Sequence, residues 1–299
     1  MKRVLLTGAT GFLGRHILER LLAGGWCEVH AACRRPPADD LRSVRWHVAD
    51  LRDPAAAALL VATVRPTHLL HAAWIATPGQ YLHAAENLDW LAAGLALARA
   101  FGEQGGERFV GVGSSAEYAP DDAPCREDDT PIRPATLYGQ SKAACWQAVH
   151  AAATHYGVSA AWGRVFLPYG PGDAPQRLIP SLVAALKEGR AIETSHGLQE
   201  RDFVFVSDIA AMFSALLKSP ASGAFNIGSG RGEAVRTVIE RLADHFGGRE
   251  GLRFGARPLA PGEPMHLVAD MSKTRAVFAG IEPLSLSEGL TRIFPGFAA

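Results

Sequence analysis

Three glycines near the start of the chain constrain its fold more than any other feature. Gly8, Gly11 and Gly14 lie between a short apolar run and a segment whose apolar residues recur at helical spacing. Such a turn lets a pyrophosphate approach the main chain and leaves the N–H groups of the following helix open to the anion. Glycine is common here, 31 of 299 residues, so it is the strand-to-helix position that predicts dinucleotide binding. The predicted cofactor residues of the turn are Gly8, Thr10, Gly11, Phe12, Leu13 and Gly14.

Length and charge narrow the class of protein. A chain of 299 residues that is 48% hydrophobic can bury the core of one doubly wound domain with a smaller lobe. Lys+Arg and Asp+Glu are both 30, which argues against nucleic acid or an anionic membrane as partner. Without a secretory segment or an apolar run of membrane-spanning length, the sequence predicts a cytoplasmic protein. The four cysteines show no metal-binding spacing, and we expect reduced thiols and no metal: Cys27, Cys33, Cys125 and Cys145.

The order of apolar runs predicts an α/β fold. Short buried runs at 28–33, 44–48, 68–71 and 108–112 alternate with helical patterns at 54–64 and about 82–101. This alternation predicts a Rossmann-type doubly wound parallel sheet, with ligands at the carboxyl ends of its strands. We expect a dinucleotide-binding domain over residues 1–168, to which residues 202–228 return. Residues 169–201 and 229–299 then form a smaller C-terminal substrate-binding lobe.

The end of the second strand predicts which cofactor binds. Enzymes that use NAD place an acid there for the ribose 2′-hydroxyl, whereas an arginine accommodates the 2′-phosphate of NADP. This chain has Arg34 and Arg35, while Asp39 and Asp40 come after two prolines and are poorly placed. The sequence therefore favours NADP and leaves NAD possible. The alternative is that both arginines are solvated loop charges.

A tyrosine and a lysine follow the fifth strand at helical spacing. Tyr138 and Lys142 are four residues apart and share a helix face, with Ser115 just after the strand. A phenol can protonate the oxygen of a ketone that receives hydride, and a hydroxyl can polarise that carbonyl. A nearby ammonium lowers the pKa of the phenol, which otherwise lies near 10. Alone, such a pair is more often an ordinary surface contact of a helix.

Together, the glycine turn, the serine and the Tyr-x-x-x-Lys pattern resemble the extended short-chain dehydrogenase/reductases of the sugar-nucleotide epimerase, dehydratase and ketoreductase group. The resemblance implies a catalytic trio of Ser115, Tyr138 and Lys142, and it makes Ser114 the less favoured serine. It adds Tyr138 and Lys142 to the cofactor contacts, and it implies a homodimer. It further places along the cofactor Asp50, Leu51, Ala72 and Ala73.

The same resemblance implies substrate contacts in the second half of the chain. Arginine suits a diphosphate because its planar fork binds phosphate through two hydrogen bonds. For Arg201 the alternative is a salt bridge to a carboxylate. Two departures from the family are Ala116, where a dehydratase has an acid, and Leu167, where the family often has Asn. The predicted substrate residues are Ser115, Glu117, Arg177, Arg201 and Arg257.

These features predict an NAD(P)-dependent enzyme that reduces the C4 ketone of a 4-keto-6-deoxy sugar nucleotide. Ala116 disfavours a dehydratase, and the arginines after the second strand favour the exchangeable NADPH of a reductase. The alternative is a sugar-nucleotide epimerase that acts through a transient ketone, which needs the same trio. A reductase of a small free ketone and a non-catalytic NADPH-sensing protein also remain open.

Overall fold

A computed structural model describes residues 1–37, 44–119, 122–260, 262–278 and 280–297. Asp39 and Asp40 lie outside these described residues. The strands are β1 (Lys2–Thr7), β2 (Cys27–Cys33), β3 (Val44–Val48), β4 (His68–His71), β5 (Arg108–Ser114), β6 (Ser159–Val165), β7 (Leu167–Tyr169), β8 (Ile192–Thr194), β9 (Glu200–Phe205), β10 (Gly223–Ile227), β11 (Gly232–Ala234), β12 (Leu252–Phe254) and β13 (His266–Leu267). The helices are α1 (Phe12–Gly24), α2 (Pro54–Val64), α3 (Glu86–Glu103), α4 (Leu137–Tyr156), α5 (Leu178–Lys187), α6 (Val206–Lys218), α7 (Val235–Phe246), α8 (Ser272–Val277) and α9 (Leu286–Ile293).

Seven parallel strands form the main sheet in the order β10-β6-β5-β4-β1-β2-β3. Apolar residues of α1 and α6 pack on one face of the sheet, and those of α2, α3 and α4 pack on the other. Both faces are therefore covered, which explains why the central strands are apolar runs rather than alternating ones. The predicted α/β fold with a Rossmann-type parallel sheet is confirmed.

The start of α3 differs from the prediction because of one buried side chain. The apolar pattern predicts a helix from about residue 82, but α3 begins at Glu86. The amide nitrogen of Asn87 donates to the carbonyl oxygens of Tyr81 (2.7 Å) and Ala84 (2.8 Å). These bonds hold residues 81–84 in turns and direct them toward the end of the main sheet.

A second layer of short strands forms the core of the smaller lobe. In this lobe β9 pairs with β7, β11 and β13, and β8 pairs with β12. The predicted return to the main domain at residue 202 differs here, since β9 belongs to the lobe and only α6 and β10 rejoin the large sheet. The Asp202 carboxylate accepts hydrogen bonds from the backbone N–H groups of Ser229, Gly230 and Ala269. The buried Asp202 carboxylate therefore connects β9 to the segments that follow β10 and β13.

A buried ion pair fixes the end of β5 against β6. Glu117 is fully buried, and its side chain accepts hydrogen bonds from Ser114 N (2.8 Å), Trp162 Nε1 (2.8 Å) and Arg164 Nε (2.9 Å). Both carboxylate oxygens are thus bonded inside the protein. The prediction that Glu117 contacts substrate is wrong, because the side chain points into the core and its oxygens are already bonded to Trp162 and Arg164.

Replacing Glu117→Gln should lower the free energy of unfolding by about 3 kcal/mol, because it leaves the Arg164 guanidinium buried without its counter-charge. Urea denaturation measures the loss. The matched control is Glu103→Gln, which breaks an exposed pair with Arg99 and should leave the free energy of unfolding nearly unchanged. Equal losses in both variants would show that the buried pair does not hold this part of the sheet.

Candidate active site

The glycine turn between β1 and α1 has the shape that an anion site requires. Gly8 has φ of +72°, a left-handed conformation that favours glycine. A Cβ at Gly14 would lie 1.9 Å from the Gly8 carbonyl oxygen, so no larger residue fits without displacing the turn. Gly11 precedes α1 and gives it no side-chain cap, which leaves the first N–H groups of the helix available to a ligand.

This turn opens onto a cavity of about 660 Å³ at the carboxyl ends of the central strands. Beneath the lining residue Ala73, the buried Thr7 hydroxyl lies 2.8 Å from His71 Nδ1 and accepts the Ala73 backbone N–H at 3.3 Å. The cavity is large enough for a cofactor and a substrate side by side. The predicted cofactor residues that line it are Gly8, Thr10, Gly11, Phe12, Leu13, Gly14, Arg34, Leu51, Ala72, Ala73, Tyr138 and Lys142.

Two predicted cofactor residues are not brought to the cavity wall. Arg35 is exposed and lies outside the lining, whereas its neighbour Arg34 lines it. The Asp50 carboxylate is bonded to Arg52, with Oδ1 3.0 Å from Nε and Oδ2 2.6 Å from Nη2. Those bonds lower the pKa of Asp50 to about 2. Of the residues predicted to set cofactor choice, Arg34 is the one that the fold places at the site.

Tyr138 and Lys142 occupy the first turns of α4. The Thr136 hydroxyl caps this helix by accepting the Gly139 N–H (3.1 Å), which fixes where the helix begins. Lys142 Nζ donates to the Val112 carbonyl oxygen at 2.7 Å and lies 5.9 Å from the centre of the Tyr138 ring. The predicted helical pair therefore faces the end of β5.

Burial moves the pKa values of this pair in opposite directions. Desolvation lowers the pKa of the Lys142 ammonium to about 8. It raises the pKa of the Tyr138 phenol, and the Ser114 hydroxyl and the charge of Arg177 oppose that rise. At neutral pH the site therefore contains a protonated phenol beside an ammonium.

Ser114 and Ser115, at the end of β5, both line the cavity. Ser114 is the last residue of β5, and its side chain interacts with the Tyr138 phenol. Ser115 begins the short 3₁₀ turn of residues 115–117 and is buried, although it also lines the cavity. The sequence favours Ser115 because Glu117 and Tyr118 follow it in the register of the family that the chain resembles. This interaction makes Ser114 a candidate, beside the predicted Ser115, for the hydroxyl that acts with Tyr138.

One of the three predicted substrate arginines lines the cavity. Arg177 precedes α5, and its guanidinium lies 5.3 Å from the centre of the Tyr81 ring. That ring meets the Tyr138 ring edge to face, with centres 4.9 Å apart. One wall of the cavity is therefore formed by a cation–π contact followed by an aromatic pair, through Arg177, Tyr81 and Tyr138.

The other two arginines lie away from the cavity lining. Arg201 is buried, and its Nη2 lies 2.6 Å from the Glu263 carboxylate, which is the salt bridge that the sequence left open. Arg257 is exposed in the lobe and lies 3.7 Å from Glu193. Their predicted contacts with substrate are not supported, because each has a carboxylate partner elsewhere.

Sequence reasoning missed several residues of the cavity wall. Arg15 follows the glycine turn, and Trp74 and Ile75 follow the predicted cofactor residue Ala73. Asp173 lies beside Arg177, and burial raises the pKa of its carboxyl. The tryptophan directly after Ala72 and Ala73, the small residues that follow β4, is a signal in the sequence for this part of the wall. Tyr81 gave no signal, because its position depends on the turns before α3.

Two kinds of feature are absent from the described part of the chain. It contains no group of three or more His, Cys, Asp or Glu side chains arranged to hold a metal ion. Among its helices, none has the length and apolar character needed to cross a membrane.

Comparison with known proteins adds sequence and structural relatives. A UDP-glucose 4-epimerase of Azospirillum brasilense is 28% identical over 97% of this chain and 90% of its own length. A dTDP-L-rhamnose 4-epimerase of Burkholderia thailandensis is 27% identical, over 97% of this chain and 93% of its own. Among solved structures, the UDP-glucose 4-epimerase of Thermus thermophilus in complex with NAD has a TM-score of 0.81 and is 28% identical. MoeE5 in complex with UDP-glucose and NAD has a TM-score of 0.84 and is 29% identical. Each comparison covers 97% of this chain and 97% of the other.

The family profile described as NAD dependent epimerase/dehydratase matches residues 4–228, from β1 to the residue after β10. This match covers the glycine turn, both serines and the Tyr138–Lys142 pair, and it confirms the resemblance drawn from those residues. The chain therefore belongs to the NAD dependent epimerase/dehydratase family.

Proposed function

We propose that the protein is a sugar-nucleotide 4-epimerase that acts through a transient ketone and uses a nicotinamide dinucleotide as its hydride carrier. The observation that carries this proposal is the single cavity that brings together the glycine turn, Ser114, Tyr138, Lys142 and Arg177. Relatives that span nearly the whole chain and are named 4-epimerases favour epimerisation over the net reduction that the sequence suggests.

The residues present fit a dinucleotide. The close approach of Gly14 to Gly8 and the uncapped N-terminus of α1 would hold the pyrophosphate. Lys142 has three N–H donors and gives one to Val112, so it can also hold ribose hydroxyls. When bound, the nicotinamide accepts a hydride from the sugar carbon and returns it.

Tyr138 is the group that exchanges the proton of the sugar hydroxyl. In its phenolate form, Tyr138 takes the hydroxyl proton as C4 is oxidised, and the phenol so formed returns that proton when the ketone is reduced on its other face. The raised pKa favours the protonated phenol that the reduction step needs. Lys142 and Arg177 stabilise the phenolate that the oxidation step needs. Ser114 donates a hydrogen bond to the developing oxyanion and orients the hydroxyl.

Arg177 is the residue that we assign to the substrate diphosphate. It lines the cavity next to the wall of Tyr81 and Tyr138, so a phosphate bound there places the attached sugar near the phenol. A guanidinium can bind phosphate through two parallel hydrogen bonds. The substrate class is therefore a nucleoside diphosphate sugar.

We also propose a homodimer and a cytoplasmic location. Leu88 and Leu95 are exposed on α3, seven residues apart and thus on one helix face, where a second copy could cover them. A monomeric mass in light scattering would contradict the homodimer.

The cytoplasmic location is supported by the cysteines: Cys27, Cys33 and Cys145 are free thiols, as expected of a reducing compartment.

The stoichiometry of the cofactor tests the proposed reaction. The purified protein is incubated with UDP-glucose, UDP-glucuronate or dTDP-sugars and a trace of NAD or NADP. We expect conversion to the C4 epimer without net change in the amount of reduced cofactor.

A net 4-ketoreductase is the second candidate, favoured by Arg34 at the cavity and by Ala116. Consumption of one NADPH for each 4-keto-6-deoxy sugar nucleotide reduced, without epimerisation, would establish that candidate instead.

Replacing Tyr138→Phe should lower turnover by about a hundredfold or more, because the positioned proton donor is lost. The affinity for the dinucleotide should change little, since the ring and its contact with Tyr81 remain. Turnover and cofactor titrations measure the two effects. Tyr156→Phe, at the far end of α4, is the matched control. Wild-type turnover in the Tyr138 variant would remove this residue from the mechanism.

Replacing Arg34→Asp should reduce the preference for NADPH over NADH by about tenfold or more, because an arginine that accommodates the 2′-phosphate becomes an acid that repels it. Dissociation constants for both cofactors measure this ratio. Arg35→Asp makes the same charge change outside the cavity and should move the ratio much less. Equal affinities of the wild type for the two cofactors would contradict the assignment.

A further inference from the structure

The ammonium of Lys142 lies against the face of an indole. Lys142 Nζ is 3.9 Å from the centre of the Trp74 ring, well within the range of a cation–π interaction. The rings of Trp162 and Tyr138 are more distant, at 5.8 Å and 5.9 Å. Together with the Val112 carbonyl oxygen at 2.7 Å, the Trp74 face is the nearest support of this charge among the described contacts.

The indole cannot easily turn away from the lysine. Trp74 Nε1 donates to Asn87 Oδ1 at 2.8 Å, and Asn87 is fully buried at the start of α3. The amide nitrogen of Asn87 in turn donates to the carbonyl oxygens of Tyr81 and Ala84. The plane of the ring is therefore fixed by the same side chain that holds the turns before α3.

We propose that Trp74 is a positioning residue for Lys142: its indole face keeps the ammonium charged and in place, and leaves the remaining N–H donors free for the cofactor. This inference rests on the dinucleotide part of the proposed function. It does not depend on which sugar nucleotide is the substrate.

The surroundings of Lys142 explain why it needs such support. Burial opposes its charge and lowers its pKa to about 8. The titratable groups that face it from other elements are Glu117, after β5, and His71 on β4; Tyr138 and Cys145 face it from its own helix. Glu117 is bonded to Arg164, and burial keeps His71 neutral by lowering its pKa to about 3. The Glu117 carboxylate attracts the ammonium but is shared with Arg164, and the Trp74 ring face adds attraction to it.

The test is the pH dependence of NADH binding, measured by fluorescence titration across neutral and alkaline pH. The wild type should lose affinity as the pH passes about 8, where Lys142 loses its proton. In Trp74→Leu this loss should occur about one pH unit lower, because the charged form has lost its aromatic partner. Trp74→Phe keeps a ring face and should follow the wild type closely.

The control is Trp26→Leu, which removes an indole that lies 5.1 Å from the Lys218 ammonium, away from the cavity. This variant should keep the wild-type pH profile. An unshifted profile in Trp74→Leu would overturn the proposal. An equal shift in Trp74→Phe would also overturn it, since the hydrogen bond to Asn87 would then be the cause, and so would an equal shift in Trp26→Leu.

Trp74→Leu could fail to fold because it leaves Asn87 Oδ1 without its donor. A fluorinated tryptophan at position 74 keeps the shape and the N–H but weakens the negative ring face. Its profile should shift toward lower pH, and an unchanged profile would overturn the proposal. If NADH binds with the expected profile but no sugar nucleotide is epimerised, the proposed reaction fails while the role of Trp74 stands.

Discussion

A charged ammonium buried at the end of a parallel sheet is the constraint on which the site depends. Lys142 is 2% exposed, and a charge so far from water requires fixed partners. The carbonyl oxygen of Val112 on β5 and the indole of Trp74 after β4 supply them. Because β4 and β5 are parallel neighbours, both partners lie at the same edge of the sheet. That edge is also where Ser114 and the glycine turn meet the cavity.

The buried charges behind the cavity fix the positions of the residues that line it and also stabilise the fold. Glu117 accepts the Ser114 backbone N–H and pairs with Arg164, so the residue that ends β5 cannot shift without breaking an ion pair. With rising pH, Lys142 loses its proton before Tyr138 does, since burial lowers one pKa and raises the other. The free protein therefore keeps the Tyr138 phenol protonated throughout the neutral range.

Features that depend on local spacing could be predicted from the sequence. The bounds of β3, α2 and β4, the glycine turn and the pairing of Tyr138 with Lys142 all follow from patterns within a few residues. The preference for Ser115 over Ser114 came from the register of Glu117 and Tyr118 in the family that the chain resembles, and local spacing alone does not distinguish the two serines. The ion-pair partners of Glu117 and Arg201 could not be predicted, because Arg164 and Glu263 come from distant parts of the chain. The type of reaction could not be predicted from the sequence either, since a ketoreductase and an epimerase need the same serine, tyrosine and lysine.

In the proposed reaction, hydride leaves the sugar carbon and returns to it within one cavity. The most direct measurement is mass spectrometry of the product formed from UDP-glucose deuterated at C4, after the protein has been loaded with NAD and then mixed with unlabelled NADH. We expect a C4 epimer that keeps its deuterium, because the hydride carrier stays bound between the two transfers. An epimer that has lost the label to the unlabelled pool or to solvent would contradict this reaction.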